Sequence, residues 1–234
     1  MSDPGPDFFH QLYQKFEAPI TALDCGDKCA PHNARGVPFC CDLQHALPAV
    51  YDGEWVYLEK NTDLWHPWQP DDPQLLADVQ AELPTGMKLV ACLGHHFCQR
   101  GYRAITCRAF PFFPYLDRQG KLLGMATYWE YEDRCWVISN LDKVTPLYRA
   151  QFIDAFESLF DAIPEERETF RQYSIRMRRS FGQRRRAITL LHRNGGYYKV
   201  SPRNGRLRRV APAALAQHGP YKIAAQLPFA EELE

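Results

Sequence analysis

Eight cysteines constrain this chain more than any other feature: Cys25, Cys29, Cys40, Cys41, Cys92, Cys98, Cys107 and Cys135. Seven fall in two knots, CGDKCAPHNARGVPFCC and CLGHHFCQRGYRAITC, and the eighth follows in EYEDRCWVISN. A thiolate is a soft, anionic ligand for zinc, copper(I) or iron–sulfur clusters, so clustered thiols point to a fold that gathers loops around a metal. The first knot also holds Gly26, Pro31, Gly36 and Pro38, which marks it as a loop. Adjacent cysteines such as Cys40 and Cys41 share one tetrahedral ion poorly, because their tether is short. They serve two sites more readily, or one ligates while the other supports it. The spacings miss the zinc-ribbon form of two CxxC pairs separated by about 15–20 residues, so the metal stays open. The competing reading is a set of buried structural thiols. Concentration in glycine- and proline-bearing loops, beside Arg100, Arg103 and Arg108, fits that reading poorly. Arginine and backbone N–H groups are natural donors to ligand sulfurs.

The compartment matters to this argument. The opening residues, MSDPGPDFFHQLYQKFEAP, lack a basic region followed by an apolar one, so they do not read as a secretory signal. No run of about 18 apolar residues exists to cross a membrane. A reducing cytoplasm is expected, where an even number of cysteines favours metal ligation or redox chemistry over disulfides. With 234 residues, 45% of them hydrophobic and 13% aromatic, the chain has enough apolar material for a core without covalent staples.

Periodicity predicts a mixed set of elements. Phe8, Phe9, Leu12, Tyr13 and Phe16 recur at helical spacing over 7–18, with Asp7 as a cap. The stretch DGEWVYLEKNTDLWHPWQPDDP reads as a segment wrapping over the core, and a helix starts near Asp71 or Asp72. KLVAC (88–92) is a buried strand, and two more strands flank the turn DRQG, the second returning over 121–131. Thr145-Pro146 opens a helix whose apolar face is Tyr148, Phe152, Phe156, Leu159 and Phe160; Pro164 opens the next, with acids in its first turn. Beyond residue 187, strand-like runs broken by Asn194-Gly195-Gly196 and Asn204-Gly205 predict a basic hairpin or three-stranded ribbon, a candidate separate unit. The fold class expected is α+β. A loop-rich cysteine-cluster metal domain with packed helices and a short antiparallel sheet spans 1–168, and a basic helix and β-hairpin extension spans 169–234.

The cysteine motifs resemble those of the CxxCxxCC cysteine-cluster family (YkgJ-like), described as zinc- or iron-chelating proteins with eight characteristic cysteines. The first knot is similar to the signature, with ten residues inserted between CxxxC and CC. The second is similar to the family's motif in which paired cysteines precede a Cys-Arg-x-Phe/Tyr-Pro turn, here Cys107, Arg108, Ala109, Phe110 and Pro111. Ala104-Ile105 replaces the usual arginine-proline pair, and Cys135 takes the place of the last cysteine. The resemblance covers roughly residues 20–140 and implies metal chelation by all eight thiols. The family includes flagellin lysine N-methylases, an activity that cysteines alone do not transfer; no glycine-rich nucleotide loop supports it here.

Four thiolates hold a 4Fe–4S cluster or one zinc, and the other four can form a second site. Iron–sulfur stands slightly ahead because eight thiols exceed one zinc site. His95 and His96, between Cys92 and Cys98, are alternative ligands or loop packing, and His32 and His45 stand near the first knot. Asp24, Asp27 and Asp42 read as exposed loop acids before they read as oxygen ligands. Trp65, Trp68, Tyr128 and Trp129 read as packing before they read as a substrate cleft.

Charge is strongly divided. Residues 1–170 carry 14 Lys+Arg against 25 Asp+Glu, a net −11, whereas 171–230 carry 14 Lys+Arg and no acid. Arg178, Arg179, Arg184, Arg185, Arg186, Arg206, Arg208 and Arg209 interleave with aromatics, a pattern that contacts RNA or DNA through phosphates and stacked bases. The alternative is self-complementation, the basic segment docking on the acidic body. No Ser/His/Asp order, HExxH, Walker loop or dinucleotide fingerprint appears. The sequence therefore yields a metal-dependent redox or group-transfer enzyme, a zinc-braced nucleic-acid module or a metal store, and no particular protein partner.

Overall fold

The structure is a computed structural model that describes residues 4–222; Glu231, Glu232 and Glu234 lie outside the described residues. Helix α1 (Pro6–Lys15) opens with proline at its first position and buries Phe9, Leu12 and Tyr13. Gly5 occupies the cap position expected for Asp7, which sits instead in the first turn, where an acid suits the helix dipole. The first cysteine knot is a loop with short helical turns: α2 (Gly26–Cys29) and 3₁₀ turns at Ala30–His32 and Phe39–Cys41.

Next come β1 (Ala49–Tyr51), α3 (Asp52–Asn61), β2 (Trp65–Pro67), α4 (Pro73–Ala81) and β3 (Met87–Cys92). Helix α3 corrects the expected wrapping segment. Its inward face is Gly53, Glu54 and Leu58, so a carboxylate at the centre of the face hides the apolar period. Asp72 caps α4 by accepting from the Gln74 N–H at 2.9 Å. Both β1 and β2 pair antiparallel with β3, giving the order β1-β3-β2.

The second half contains α5 (Ile105–Ala109), β4 (Phe112–Leu116), β5 (Leu122–Thr127), α6 (Trp136–Ser139), α7 (Pro146–Ala162), α8 (Pro164–Gln183), β6 (Ile188–His192), β7 (Tyr197–Val200) and β8 (Leu207–Val210). The return strand β5 stops at Thr127, and Trp129–Tyr131 is a 3₁₀ turn. All five strands form one antiparallel sheet in the order β4-β5-β6-β7-β8. The molecule is thus α+β. The basic ribbon is built into the body rather than set apart, since β6 pairs with β5 and α8 runs across the 168/169 boundary. Gly124 permits that pairing: a Cβ there would stand 2.2 Å from the Leu191 carbonyl oxygen. Gly195 (φ +87°) and Gly205 (φ +75°) supply the left-handed turns between strands.

Thr145 caps α7 by accepting from the Tyr148 N–H at 3.2 Å, and Phe152 and Phe156 stack at 4.5 Å on its inner face. Helix α7 packs on α1 and β5, and α8 packs on α7 and β4. Phe152 is fully buried, and truncating such a ring to alanine costs about 3–5 kcal/mol. Glu165 sits in the first turn of α8, but Glu166 is buried and hydrogen-bonded to Tyr51. Among the described residues, no helix is long and apolar enough to cross a membrane.

Candidate metal centre

The fold brings the cysteines of both knots to one place. Cys25 and Cys29 flank α2, Cys40 and Cys41 share the turn Phe39–Cys41, Cys92 ends β3, Cys107 sits in α5 and Cys135 precedes α6. Cys25, Cys40, Cys41, Cys92, Cys98 and Cys107 line one cavity of about 720 Å³. Cys29 and Cys135 are buried, and all eight are free thiols.

Burial, with Cys29 and Asp24 beside it, pushes the Cys25 thiol up to about 11. Burial also raises Cys107, which stands near Cys41, Cys92 and Cys98, and Cys135, which stands near Cys25 and Cys29. The Cys40 and Cys41 sulfurs lie 3.9 Å apart; their contact raises Cys40 and lowers Cys41, with Arg103 also favouring the Cys41 thiolate. Among the electrostatic neighbours, Cys25 acts on Cys40 and Cys135, and Cys41 acts on Cys92 and Cys107, while the vicinal pair links these groups and Cys41 also acts on Cys29. Among the described residues, no three Cys, His, Asp or Glu side chains close on a single point as one ion requires. Each sulfur changes position by rotation about one bond between staggered wells. The backbone thus brings these thiols near one another without closing them on a point.

Arginines play separate parts here. Arg103 donates from Nε to the Cys98 sulfur at 3.0 Å. Arg108 does not. Its guanidinium is buried over the Tyr13 ring at 4.2 Å and donates to the carbonyls of Arg103 and Gly101, both at 2.8 Å, and of Phe16. Arg100 remains exposed. His95 lines the cavity and stacks on exposed His96 at 3.8 Å; His45 also lines it, whereas His32 packs edge-on against Tyr221. Asp24 and Asp27 line the cavity, and Asp24 accepts from the Gly26 N–H at 2.8 Å. Asp42 is buried rather than an exposed loop acid. It accepts from Asn33 at 3.0 Å, from Arg35 at 3.3 Å and from the Gln44 N–H at 3.1 Å. Burial alone would raise its pKa, but these donors bring it below the ordinary value.

The cavity continues past the thiols along an aromatic wall. Trp65 and Tyr128 line it, but Trp68 and Trp129 do not. Tyr51, Phe110, Phe112, Tyr131, Phe156, Phe170 and Tyr173 complete that wall, with Glu130 and Arg134 beside it. Tyr173 donates to Glu130 at 3.5 Å, and desolvation raises the Glu130 carboxyl. Sequence reasoning missed Glu130 and Arg134, whose only trace was the aromatic and acidic run YWEYEDR just before Cys135, and it did not bring Tyr173 of α8 to the same cavity.

The candidate nucleic-acid contacts divide. Arg178 is buried and donates to the Leu116 carbonyl at 2.8 Å and to the Tyr115 hydroxyl at 3.2 Å, so it is an internal brace. Arg186 is bidentate to Glu132 at 2.8 and 2.9 Å. Arg179, Arg184, Arg185, Arg206, Arg208 and Arg209 are exposed and form no ion pair among the described residues. Compared with known proteins, the chain matches no family model, no curated protein and no solved structure.

Proposed function

We propose that this chain holds a metal centre through its clustered cysteines, with an iron–sulfur cluster favoured over zinc. In this reading it acts as a redox or group-transfer enzyme on a substrate admitted to the adjoining cavity. The observation that carries the reading is the meeting of six thiols, from both knots, on the wall of one aromatic-lined cavity. The likeness of the motifs to the CxxCxxCC cysteine-cluster family supports it. The donor set fits the group: free thiols, an arginine N–H on one sulfur, and more sulfur than one zinc takes. An iron–sulfur cluster supplies electron transfer when bound. Cys25, Cys29, Cys40 and Cys135 would hold one centre, and Cys41, Cys92, Cys98 and Cys107 a second. Arg103 holds the Cys98 sulfur in place. The aromatic wall excludes water and orients the substrate, while Glu130 and Tyr173 offer a proton acceptor and donor. Free thiols of this density persist in a reducing compartment, so the reading places the chain in the cytoplasm.

A second reading, a zinc-braced nucleic-acid module, draws on the exposed arginines at the end of α8 and around β8. Anaerobic purification of the full chain, followed by assays for iron, zinc and acid-labile sulfide and an absorption spectrum, separates the two. Iron with sulfide and a broad visible band is the expected result. Stoichiometric zinc without colour would move the function to the arginines. Absence of both metals, with eight freely titrating thiols, would overturn the metal centre.

A further inference from the structure

A second cavity, of about 260 Å³, shares no lining residue with the thiol cavity. Its floor is a row across three strands. Thr189 on β6 is paired with Lys199 on β7, and Lys199 is paired with Arg208 on β8. Directly paired residues project from the same face of a sheet, so these three side chains stand side by side, and all three line the cavity. Arg186, Glu132 and His218 form another wall.

The charges in this cavity do not cancel. Both oxygens of Glu132 are taken by the Arg186 fork, at 2.8 and 2.9 Å, and His218 approaches one of them at 3.6 Å. Among the described residues, that leaves Lys199 and Arg208 without an ion pair of their own. The Lys199 ammonium donates to the Thr189 hydroxyl at 2.7 Å. Desolvation lowers the Lys199 pKa; Arg186 and Arg208 lower it further, and Glu132 opposes them. Buried Ile138, Leu141, Met177 and Phe181 also line the cavity and make its apolar part.

We infer that this cavity is a binding site for the phosphate group of a small ligand, seated on Lys199, Arg208 and the Thr189 hydroxyl. A phosphate brings two negative charges and several acceptor oxygens to two unpaired cations and a hydroxyl. The Glu132–Arg186 pair fixes the wall against which it sits. The apolar side offers room for the organic part of a phosphate monoester; inorganic phosphate would use the cationic floor alone.

Calorimetric titration of the full chain with inorganic phosphate and with phenyl phosphate, at constant ionic strength in chloride, tests the site. Saturable binding at one site per chain is expected. Lys199→Met and Arg208→Gln should each weaken it by about tenfold or more, the size of one charge-assisted hydrogen bond. Arg208 is exposed, so its variant keeps the fold even if the Lys199 variant does not. Equal affinity for both probes identifies free phosphate, and tighter phenyl phosphate identifies a monoester; either supports the site. No saturable binding of either probe, or binding unchanged in both variants, overturns it. So does a single-stranded oligonucleotide that binds where neither small probe does, since the cations would then serve a nucleic-acid backbone.

Discussion

Glu54 is a heavily engaged carboxylate beside the cysteine loops. It is fully buried and accepts from the Tyr13 hydroxyl at 2.6 Å and from the N–H groups of Ile105 at 2.7 Å and Tyr51 at 3.3 Å. Through it, α1, β1 and the start of α5, which carries Cys107, are tied together. Burial nevertheless pushes its pKa up to about 7, from an ordinary 4.5. Between those two values the folded state keeps a proton that the unfolded state has lost. Unfolding free energy therefore falls as pH rises across this window, by roughly 3 kcal/mol from this group. Glu54→Gln removes the titration, so urea unfolding at a series of pH values should show a flatter decline than the parent. The variant should also be weaker at acid pH, because its amide N–H₂ meets the Tyr51 N–H where an acceptor stood. An unchanged slope would mean that Glu54 is not the titrating group. The vicinal cysteines give a second expectation at this scale. If Cys40 and Cys41 serve different sets, Cys40→Ser and Cys41→Ser should each lose about half the bound iron, and the double variant nearly all of it. Complete loss in either single variant would indicate one shared centre.

Elements were legible wherever one rule dominated. The apolar face of α7 and its Thr145-Pro146 start, the strand β3, and the Asn-Gly turns of the ribbon all stand where the sequence predicts them. Helix α3 was not legible, because the residue at the centre of its buried face is Glu54. Nor was the pairing of β6 with β5. It joins segments about 60 residues apart in the chain and depends on the missing Cβ of Gly124, which local pattern does not reveal. The end of α8 shows a local rule broken. The Arg186 N–H reaches the Phe181 carbonyl at 2.9 Å and the Arg185 N–H reaches that of Gly182 at 3.2 Å, the two bonds of a Schellman close. The left-handed position of that motif favours glycine, yet Arg185 occupies it with φ +52°. Arg185 is exposed and without an ion pair among the described residues, so nothing in the structure offsets the strain. Arg185→Gly should raise the unfolding free energy by about 1 kcal/mol, read as a higher urea midpoint at unchanged slope. A lower midpoint would show that the arginine makes a contact strong enough to hold the strained backbone.

At the scale of the whole molecule, the charge division seen in the sequence becomes two kinds of arginine. The division was plain in the sequence. Which arginines point inward was not, because it depends on the sheet that carries the ribbon onto the body. The convergence of the cysteines was legible in the same partial way: their number and loops marked them as a cluster, while which six share one cavity needed the fold. Arg178 enters the interior, Arg186 clasps Glu132 and Arg193 meets Glu157 at 2.7 Å, so part of the basic segment is used up in docking on the acidic body. Arg179, Arg184, Arg206 and Arg209 face solvent. These groups should respond differently to neutralisation. Arg186→Gln leaves the half-buried Glu132 with only a distant His218, and should cost about 1 kcal/mol at low salt, since the pair is partly exposed. That cost should shrink at high salt as the coulombic part is screened. Replacing Arg184, Arg206 and Arg209 by glutamine should shift stability by no more than about 0.5 kcal/mol each, in either salt. Urea unfolding of both variants at low and high salt measures the difference. If the exposed set proved the more damaging, the basic segment would be held to the body by its field as a whole. The reverse order, expected here, makes docking the work of a few placed pairs and leaves the remaining arginines free for a ligand.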